Sequence, residues 1–175
     1  MASSATYVKR VFCGDTRRKE FLSLYTPVHE QFTRYCRAIS GNVPDAEDLI
    51  QESVLISLET FDKIKDKNAF KYYIFSIAGN VHKMKLRRLK FKAEFNEEEI
   101  RKILDVSQNQ EYLTDFGIVY TKILQLPQRM AEAIILFHIS GLSLEEIRKI
   151  QGGSLSGVKL RIKRGREKLL SSLKT

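Results

Sequence analysis

Aromatic rings and cations share one stretch of the chain, residues 70–92, with the sequence FKYYIFSIAGNVHKMKLRRLKFK. Helical spacing predicts that its apolar side chains form a buried stripe. The members of that stripe are Phe70, Tyr73, Ile74, Ile77, Val81 and Met84. Tyr72, Phe75 and Lys83 should point away from it. Flat rings stack on unpaired bases and cations neutralise phosphates, so the stretch favours a single-strand nucleic-acid surface. The alternative is a core stripe beside a solvated lysine run.

Charge is distributed in alternating blocks along the 175 residues, whose formal net charge is +9. Residues 61–92 carry ten cations and two anions, and residues 141–175 carry nine and three. Residues 21–60 reverse this balance with six anions and two cations, and residues 93–115 do so with seven and two. Because basic blocks attract polyanions, the pattern indicates two polyanion contacts and a further partner for the acidic parts.

Several functional classes find no support in the sequence. The first ten residues lack the apolar core of a secretory signal, and the longest near-apolar run, residues 133–139, is far shorter than the roughly 20 residues that a bilayer needs. Cys13 and Cys36 form no disulfide framework and have no partner at metal-ligand spacing, and the three histidines are scattered singly. We therefore expect a cytoplasmic, reduced protein with no membrane insertion, cofactor, metal site or catalytic group.

Amphipathic helices must position the charges and rings. Residues 19–39 place apolar side chains at spacings of three and four, which predicts a helix that Pro27 either kinks or starts late. Gly41 should close this helix, and the sequence VPDAEDL should open the next one. Residues 1–18 are interpreted as a basic, weakly ordered lead-in.

The second helix carries an acidic stripe. Its apolar side chains, which fall on one side of a helical wheel, are Ile50, Val54, Leu58 and Phe61. The carboxylates on the opposite side are those of Asp45, Asp48, Glu52 and Glu59. Like charges at these spacings repel one another by a few tenths of a kcal/mol per pair, so the stripe indicates a basic protein partner. A solvated face is the alternative.

The order of these pieces resembles the second conserved region of the extracytoplasmic-function sigma factors of bacterial RNA polymerase. The sequence DAEDLIQES, from Asp45 to Ser53, is similar to the family's D-A-E-D-L-x-Q-E. AFKYYIFSIAGNVHKMKLRR is similar to F-x-x-W-L-x-x-I-A-x-N with a basic tail. The family's tryptophan is replaced by Tyr72 or Tyr73, and the chain has no Trp.

The resemblance implies two surfaces in this part of the chain. In the family, the acidic helix docks on the clamp helices of the polymerase's largest subunit. The implied polymerase contacts are Asp45, Asp48, Gln51 and Glu52. The aromatic and basic helix, with the loop before it, receives and opens upstream promoter DNA near the start site. The implied DNA contacts are Lys67, Lys71, Tyr72, Tyr73, Asn80, Lys83, Arg87 and Arg88.

Residues 93–113 are acidic and polar, which predicts a linker between two helical domains with a short helix around residues 97–104. By resemblance, a negatively charged linker runs through a channel that otherwise holds RNA. A plain flexible tether is the alternative.

The sequence after residue 114 predicts a second helical domain. QRMAEAIILFHISGLSLEEIRKI indicates two helices broken at Ser140 and Gly141, and Ser143 with Glu146 forms a capping box. A glycine turn at residues 152–153, a cap at Ser154 and a basic helix follow, which is the outline of a helix-turn-helix DNA reader. The predicted apolar face of that helix consists of Leu155, Val158, Ile162, Leu169 and Leu173.

This second half is similar to the family's fourth region. Leu126 and Pro127 match the L-P with which that region begins, GLSLEEI matches G-x-S-x-E-E-I, and VKLRIKRGREKL matches V-K-S-R-L-x-R-A-R-x-x-L. The implied DNA contacts of the second domain are Ser156, Lys159, Arg161, Lys163 and Arg164.

Five residues depart from the helix-turn-helix pattern. Arg148 stands where a small residue usually allows the helices to cross, and Gln151 and Gly153 stand where the family has apolar core residues. Gly157 and Gly165 should each weaken the second helix by about 0.5–1 kcal/mol relative to alanine. These departures predict a loose reader or one with altered sequence preference.

The sequence thus predicts an all-α protein of two small domains, residues 1–92 and 114–175, joined by the acidic linker. The function implied by the resemblance is that of an alternative sigma factor, not an enzyme, with core RNA polymerase, promoter DNA and an anti-sigma factor as partners. Two alternatives stay open. One is a polymerase-independent helix-turn-helix regulator, and the other is a sigma-like regulator that binds polymerase without specific promoter reading.

Overall fold

The computed structural model describes residues 16–93 and 115–173, and every element in these two ranges is helical. The chain forms two compact units, Met1–Ala78 and Gly79–Thr175. The prediction of an all-α, two-domain protein is confirmed. The linker prediction and its short helix at residues 97–104 lie outside the described residues, as do the first fifteen residues of the lead-in.

Four helices belong to the first part of the chain. They are α1 (Thr16–Tyr25), α2 (His29–Ser40), α3 (Val43–Glu59) and α4 (Phe70–Ala93). The first predicted helix is divided, because Pro27 lies in a 3-10 turn, Thr26–Val28, between α1 and α2. Gly41 closes α2 as predicted, with a φ of 81° that favours glycine. Residues 16–18, which were predicted to belong to the lead-in, are the first residues of α1.

An aromatic cluster fills the core of the first unit. The ring of Phe21 lies 5.4 Å from that of Phe61 and 5.2 Å from that of Phe70, measured between centroids. Further along α4, the ring of Phe75 lies 5.4 Å from that of Phe32 and 5.2 Å from that of Tyr35. Three of these four pairs are edge-to-face, and the Tyr35–Phe75 pair is tilted. Aromatic pairs of this kind stabilise a core beyond their buried area. The rings therefore hold α4 against α1 and α2.

Two predictions about the faces of α4 are wrong. Phe75 was expected to point away from the buried stripe, but its relative exposure is 0%. The buried face of α4 is wide enough to take the adjacent positions Ile74 and Phe75, because two rings of α2 pack against Phe75. Met84 was expected in the stripe, but it is 48% exposed. The buried stripe ends at Val81, after which the side chains of residues 83–88 are all exposed.

Four helices form the second part of the chain. They are α5 (Asp115–Leu124), α6 (Gln128–Ile134), α7 (Leu144–Gln151) and α8 (Leu155–Leu173). A π-helical turn, Ile135–Ile139, continues α6 before the predicted break at Ser140 and Gly141. The predicted capping box starts α7, since the backbone N of Glu146 donates to Ser143 Oγ and the backbone N of Ser143 donates to Glu146 Oε2. Ser154 caps α8 by accepting a hydrogen bond from the backbone N of Gly157 at 3.1 Å.

The buried face of α8 differs from the predicted one. Val158, Ile162 and Leu169 are buried as expected, whereas Leu155 and Leu173, at the two ends, are exposed. Gly165 joins the buried face, because α8 passes close to α6 at this point. A Cβ at position 165 would lie 2.6 Å from Ile134 Cδ1 and 3.7 Å from Met130 Cβ. Gly165 is therefore a packing residue and not only a weak point of the helix.

Replacing that glycine should destabilise the second unit. Gly165→Ala forces the buried Ile134 side chain to move, which we expect to cost about 1–3 kcal/mol, against a gain in helix propensity of about 1 kcal/mol. The added substitution Ile134→Val removes the clashing Cδ1 atom and should restore part of the loss. Urea unfolding of the two variants measures this. If Gly165→Ala alone raises the free energy of unfolding, the close approach is not the reason for glycine here.

Candidate nucleic-acid and protein interfaces

An exposed acidic face lies on α3 of the first unit. Asp48, Gln51 and Glu52 are all exposed, and their side chains make no hydrogen bond or ion pair within the described part of the chain. Asp48 and Glu52 lie on the side of the helix opposite the buried Ile50 and Val54, and Gln51 lies beside them. Since α3 presents these carboxylates uncompensated, the face can attract a cationic surface.

Asp45 has a different place from the other three residues predicted for this surface. Its Oδ2 accepts a hydrogen bond from Asn42 Nδ2 at 2.7 Å, and its backbone N donates to Asn42 Oδ1 at 2.8 Å. The two residues cap the N-terminus of α3 reciprocally. Asp45 therefore fixes the start of the helix that presents the acidic face.

Leu55 is a member of the acidic face that sequence reasoning missed. It is 56% exposed and lies one to two turns after Asp48 and Glu52, before Glu59. The sequence did contain a sign of it, since Leu55 is an apolar residue on the helical face that carries the carboxylates of Asp48, Glu52 and Glu59. An exposed apolar side chain beside these charges can add an apolar contact to a partner surface.

The loop before α4 is held by side chains that were predicted to contact DNA. Lys67 Nζ donates to the carbonyl O of Phe61 at 2.9 Å and lies 3.4 Å from the centroid of the Phe61 ring. Tyr73 donates its hydroxyl to Thr60 Oγ1 at 2.8 Å. Both residues thus have contacts that fix the loop between α3 and α4.

The other candidates on α4 lie along the outside of that helix. Lys71 and Tyr72 are half-buried near its start. Asn80, Lys83, Arg87 and Arg88 are exposed. The structure therefore brings a tyrosine ring and a row of cations onto one helix, whose exposed cations extend for about two turns.

The basic helix α8 exposes four of its five predicted contacts. Ser156, Lys159, Lys163 and Arg164 are exposed. Lys163 Nζ also lies 3.9 Å from Glu167 Oε1, in an exposed ion pair. Arg161 is the exception, because its guanidinium faces the turn between α7 and α8.

Gln151 is the centre of a polar network at that turn. Its Oε1 accepts a hydrogen bond from Arg161 Nη1 at 2.6 Å, and its Nε2 donates to Glu132 Oε2 at 2.8 Å. Arg129 and Gln151 also exchange two bonds, since Gln151 Nε2 donates to the carbonyl O of Arg129 at 3.2 Å and Arg129 Nη2 donates to the carbonyl O of Gln151 at 2.6 Å. Desolvation, followed by the charge of Arg129, lowers the pKa of Arg161. Hydrogen bonds of Gln151 therefore hold this turn together, at a position where the family's helix-turn-helix pattern has an apolar core residue.

The other departures have simple structural roles. Gly152 and Gly153 adopt φ values of 73° and 91°, so the turn requires residues without a Cβ. Arg148 points outward and pairs with Glu145, with 2.6 Å between Arg148 Nη2 and Glu145 Oε1. The hydrogen bond from Arg148 lowers the pKa of the Glu145 carboxyl. Arg148 therefore does not enter the crossing of α7 and α8.

Within residues 16–93 and 115–173, no three histidine, cysteine, aspartate or glutamate side chains converge as a metal site would require. Cys36 is buried, and this burial raises the pKa of its thiol. No helix in the described ranges is both long and apolar enough to cross a membrane.

Comparison with known proteins places both units. The family model for sigma-70 region 2 matches residues 24–91, and the model for sigma-70 region 4 matches residues 116–169. The ECF RNA polymerase sigma factor EcfG of Rhodopseudomonas palustris is 29% identical over 136 residues, which span 78% of this chain and 75% of that protein. The corresponding factor SigW of Bacillus subtilis is 26% identical over an alignment of 180 positions, gaps included, which covers 95% of each chain.

Two solved structures share the fold. The sigma factor RpoE of Bartonella quintana, in complex with the anti-sigma factor NepR, superposes with a TM-score of 0.70 at 22% identity, over 90% of this chain and 98% of that one. CnrH, in complex with the cytosolic domain of CnrY, gives a TM-score of 0.64 at 20% identity, over 97% and 96% of the two chains.

Proposed function

Because this chain belongs to the extracytoplasmic-function sigma factors, we propose that the acidic face of α3 is its docking surface for core RNA polymerase. The chain is an alternative sigma factor that binds core polymerase and directs promoter recognition, as predicted. Sigma factors act as initiation factors without enzymatic activity. Because its partners are polymerase and promoter DNA, we assign its work to the cytoplasm.

The uncompensated exposure of Asp48, Gln51 and Glu52 carries the docking proposal. A protein partner with cations at matching positions would relieve the repulsion along α3 and gain favourable pairing. Leu55 is exposed among these side chains and would add an apolar contact to the charge pairs that the partner forms with the acidic face. Asp45 acts indirectly, through its cap on the helix.

The domain boundaries of the proposal follow the prediction. Residues 1–92 bind polymerase and the promoter element near the start site, residues 93–113 link the domains, and residues 114–175 read the upstream element. The exposed basic side chains of α4 and α8 support the two DNA contacts. The alternative of a regulator without specific promoter reading was motivated by Arg148, Gln151 and Gly153, and each of the three has a structural role at or beside this turn, which supports promoter reading.

On α4, we assign different tasks to the predicted DNA contacts. Lys67 and Tyr73 hold the loop in place through Phe61 and Thr60. Tyr72 offers its ring to an unpaired base, which would recover about 1–3 kcal/mol of the several that opening a few base pairs costs. The phosphate contacts of the opened strand come from the exposed or half-buried cations and amide of α4. These are Lys71, Asn80, Lys83, Arg87 and Arg88.

Regulation by an anti-sigma factor is part of the proposal. Both structural neighbours were solved in complex with a protein partner, and the partner of the Bartonella quintana factor is the anti-sigma factor NepR. A partner that covers the acidic face of α3 or the basic helix α8 would prevent initiation by this chain.

Opening of the promoter duplex tests the proposed contact between Tyr72 and an unpaired base. With core polymerase and a promoter selected from a random duplex library, Tyr72→Ala should reduce run-off transcription about tenfold, because the stacking energy of one base is lost. A template already unpaired near the start site should restore most of the activity. Tyr72→Phe keeps the ring and serves as the matched control. Equal defects on duplex and unpaired templates would contradict a role in opening.

A further inference from the structure

The outward face of α8 has an apolar side chain at its centre. Leu160 is 45% exposed and lies four residues after Ser156 and four before Arg164, so the three share one helical face. Lys163, also exposed, borders it. None of the residues that the family resemblance assigns to DNA occupies this central position, and the matching motif V-K-S-R-L has serine there.

The direction of Leu160 is fixed by the packing of α8. Val158 and Ile162, two positions on either side, are buried. Arg161 is held at the turn by Gln151, and Ser154 caps the helix start. A helix fixed on these sides cannot rotate Leu160 into the core, so its side chain stays on the surface that the basic residues share.

The chemistry of the major groove identifies what an apolar side chain can recognise there. Thymine presents a C5-methyl group, the one apolar group that distinguishes base-pair edges in the groove, beside donors and acceptors. Phosphates would contact the flanking cations, whereas a leucine gains nothing from a phosphate. Exposed leucines are common on protein surfaces, but this one lies between two DNA-facing side chains on the helix that a helix-turn-helix unit places in the groove.

We propose that Leu160 is a specificity-determining residue that reads a thymine methyl group in the upstream promoter element. The inference rests on the proposed function, since it requires α8 to enter the major groove. Relatives with serine at the matching position should not share this preference. Leu160 adds base selection to a helix whose cations supply mainly salt-dependent affinity.

The experiment uses the full-length protein assembled with core RNA polymerase. A random duplex library first gives the upstream element that this holoenzyme selects, which should contain a fixed thymine. That thymine is then replaced by deoxyuridine, which removes the methyl group alone. We expect the affinity of the natural protein to fall about fourfold, the value for losing one buried methyl-sized group. Leu160→Ala should bind the two duplexes equally.

Two controls keep the result specific. Leu173→Ala removes a leucine of nearly equal exposure, 44%, from the end of the same helix, and it should retain the fourfold preference. Lys163→Ala should reduce the salt dependence of binding without changing the preference for thymine, whereas Leu160→Ala should leave the salt dependence unchanged. The unfolding temperature of Leu160→Ala should equal that of the natural protein, because the Leu160 side chain is about half exposed to solvent.

The outcomes separate the inference from the function on which it rests. A selected element in which deoxyuridine is tolerated equally by the natural protein and Leu160→Ala overturns the methyl contact alone. Loss of core polymerase binding by Leu160→Ala, with its base preference unchanged, would make the residue a protein contact and also overturn the inference. A holoenzyme that selects no upstream sequence overturns both the reading function of α8 and the inference.

Discussion

Reversing two charges on α3, Asp48→Lys with Glu52→Lys, should abolish co-elution of the protein with core RNA polymerase. Both side chains are exposed and uncompensated, so the variant should fold. Placing like charges against a cationic partner costs several kcal/mol, so the affinity should fall at least about a hundredfold. Size-exclusion chromatography of the mixed components measures the loss directly.

The control for this result must carry the same change in net charge. Glu20→Lys with Glu30→Lys reverses two exposed carboxylates on α1 and α2, away from the acidic face. This variant should co-elute with polymerase like the natural protein. If both double variants lose binding, the effect is one of overall charge. If neither does, the acidic face of α3 is not the docking surface.

Phe75→Ala should unfold or nearly unfold the first unit. The ring is fully buried against Phe32 and Tyr35, and removing such a ring from a core costs about 3–5 kcal/mol. A typical domain has only about 5–15 kcal/mol of stability. Urea unfolding followed by circular dichroism should show one of two transitions shifted to a much lower midpoint while the transition of the second unit stays in place.

Tyr72→Ala is the matched control for that substitution. It removes an aromatic ring three positions earlier on the same helix, where the side chain is only half-buried. We expect a much smaller change in the unfolding midpoint and a clear loss of template opening. If Phe75→Ala instead leaves the midpoint unchanged and impairs opening, Phe75 belongs to the nucleic-acid surface that its sequence position suggests.

Local signals predicted the helix boundaries well because their causes lie within a few residues. Gly41 ends α2 with a positive φ, and Ser143 with Glu146 starts α7 with both bonds of a capping box. Pro27 marked a disturbance whose result, two helices instead of one kinked helix, depended on the neighbours of α1 and α2. Local rules state that a helix must be interrupted but not how the two parts pack.

The faces of the helices were predicted less well, since a face is defined by what packs against it. A single helical stripe leaves Phe75 outside, whereas the rings of Phe32 and Tyr35 on α2 widen the buried face to include it. Gly165 was interpreted from helix propensity alone, because its close approach to Ile134 joins residues 31 positions apart. Packing of this kind has no signature in the spacing of one helix.

The candidate site residues divide in the same way. Asp48, Glu52 and Arg164 were predicted to contact polymerase or DNA, and their side chains are exposed as such contacts require. They remain predicted contacts. Lys67 and Arg161 were assigned to DNA by the family resemblance, and in the structure each also makes a hydrogen bond within its own unit, to Phe61 or to Gln151. The sequence shows that a cation is present, but it does not show which oxygen atom of the same chain accepts a hydrogen bond from it. Leu160 was overlooked because it belonged neither to the predicted apolar face of α8 nor to the polar and basic residues assigned to DNA.

The network at Gln151 couples three positions of one turn. Arg129 and Arg161 each bond to Gln151, so replacing Gln151 removes hydrogen bonds from both arginines. The effects of substitutions at Gln151 and at either arginine on the free energy of unfolding should therefore be non-additive, because each substitution removes an interaction that the other also removes.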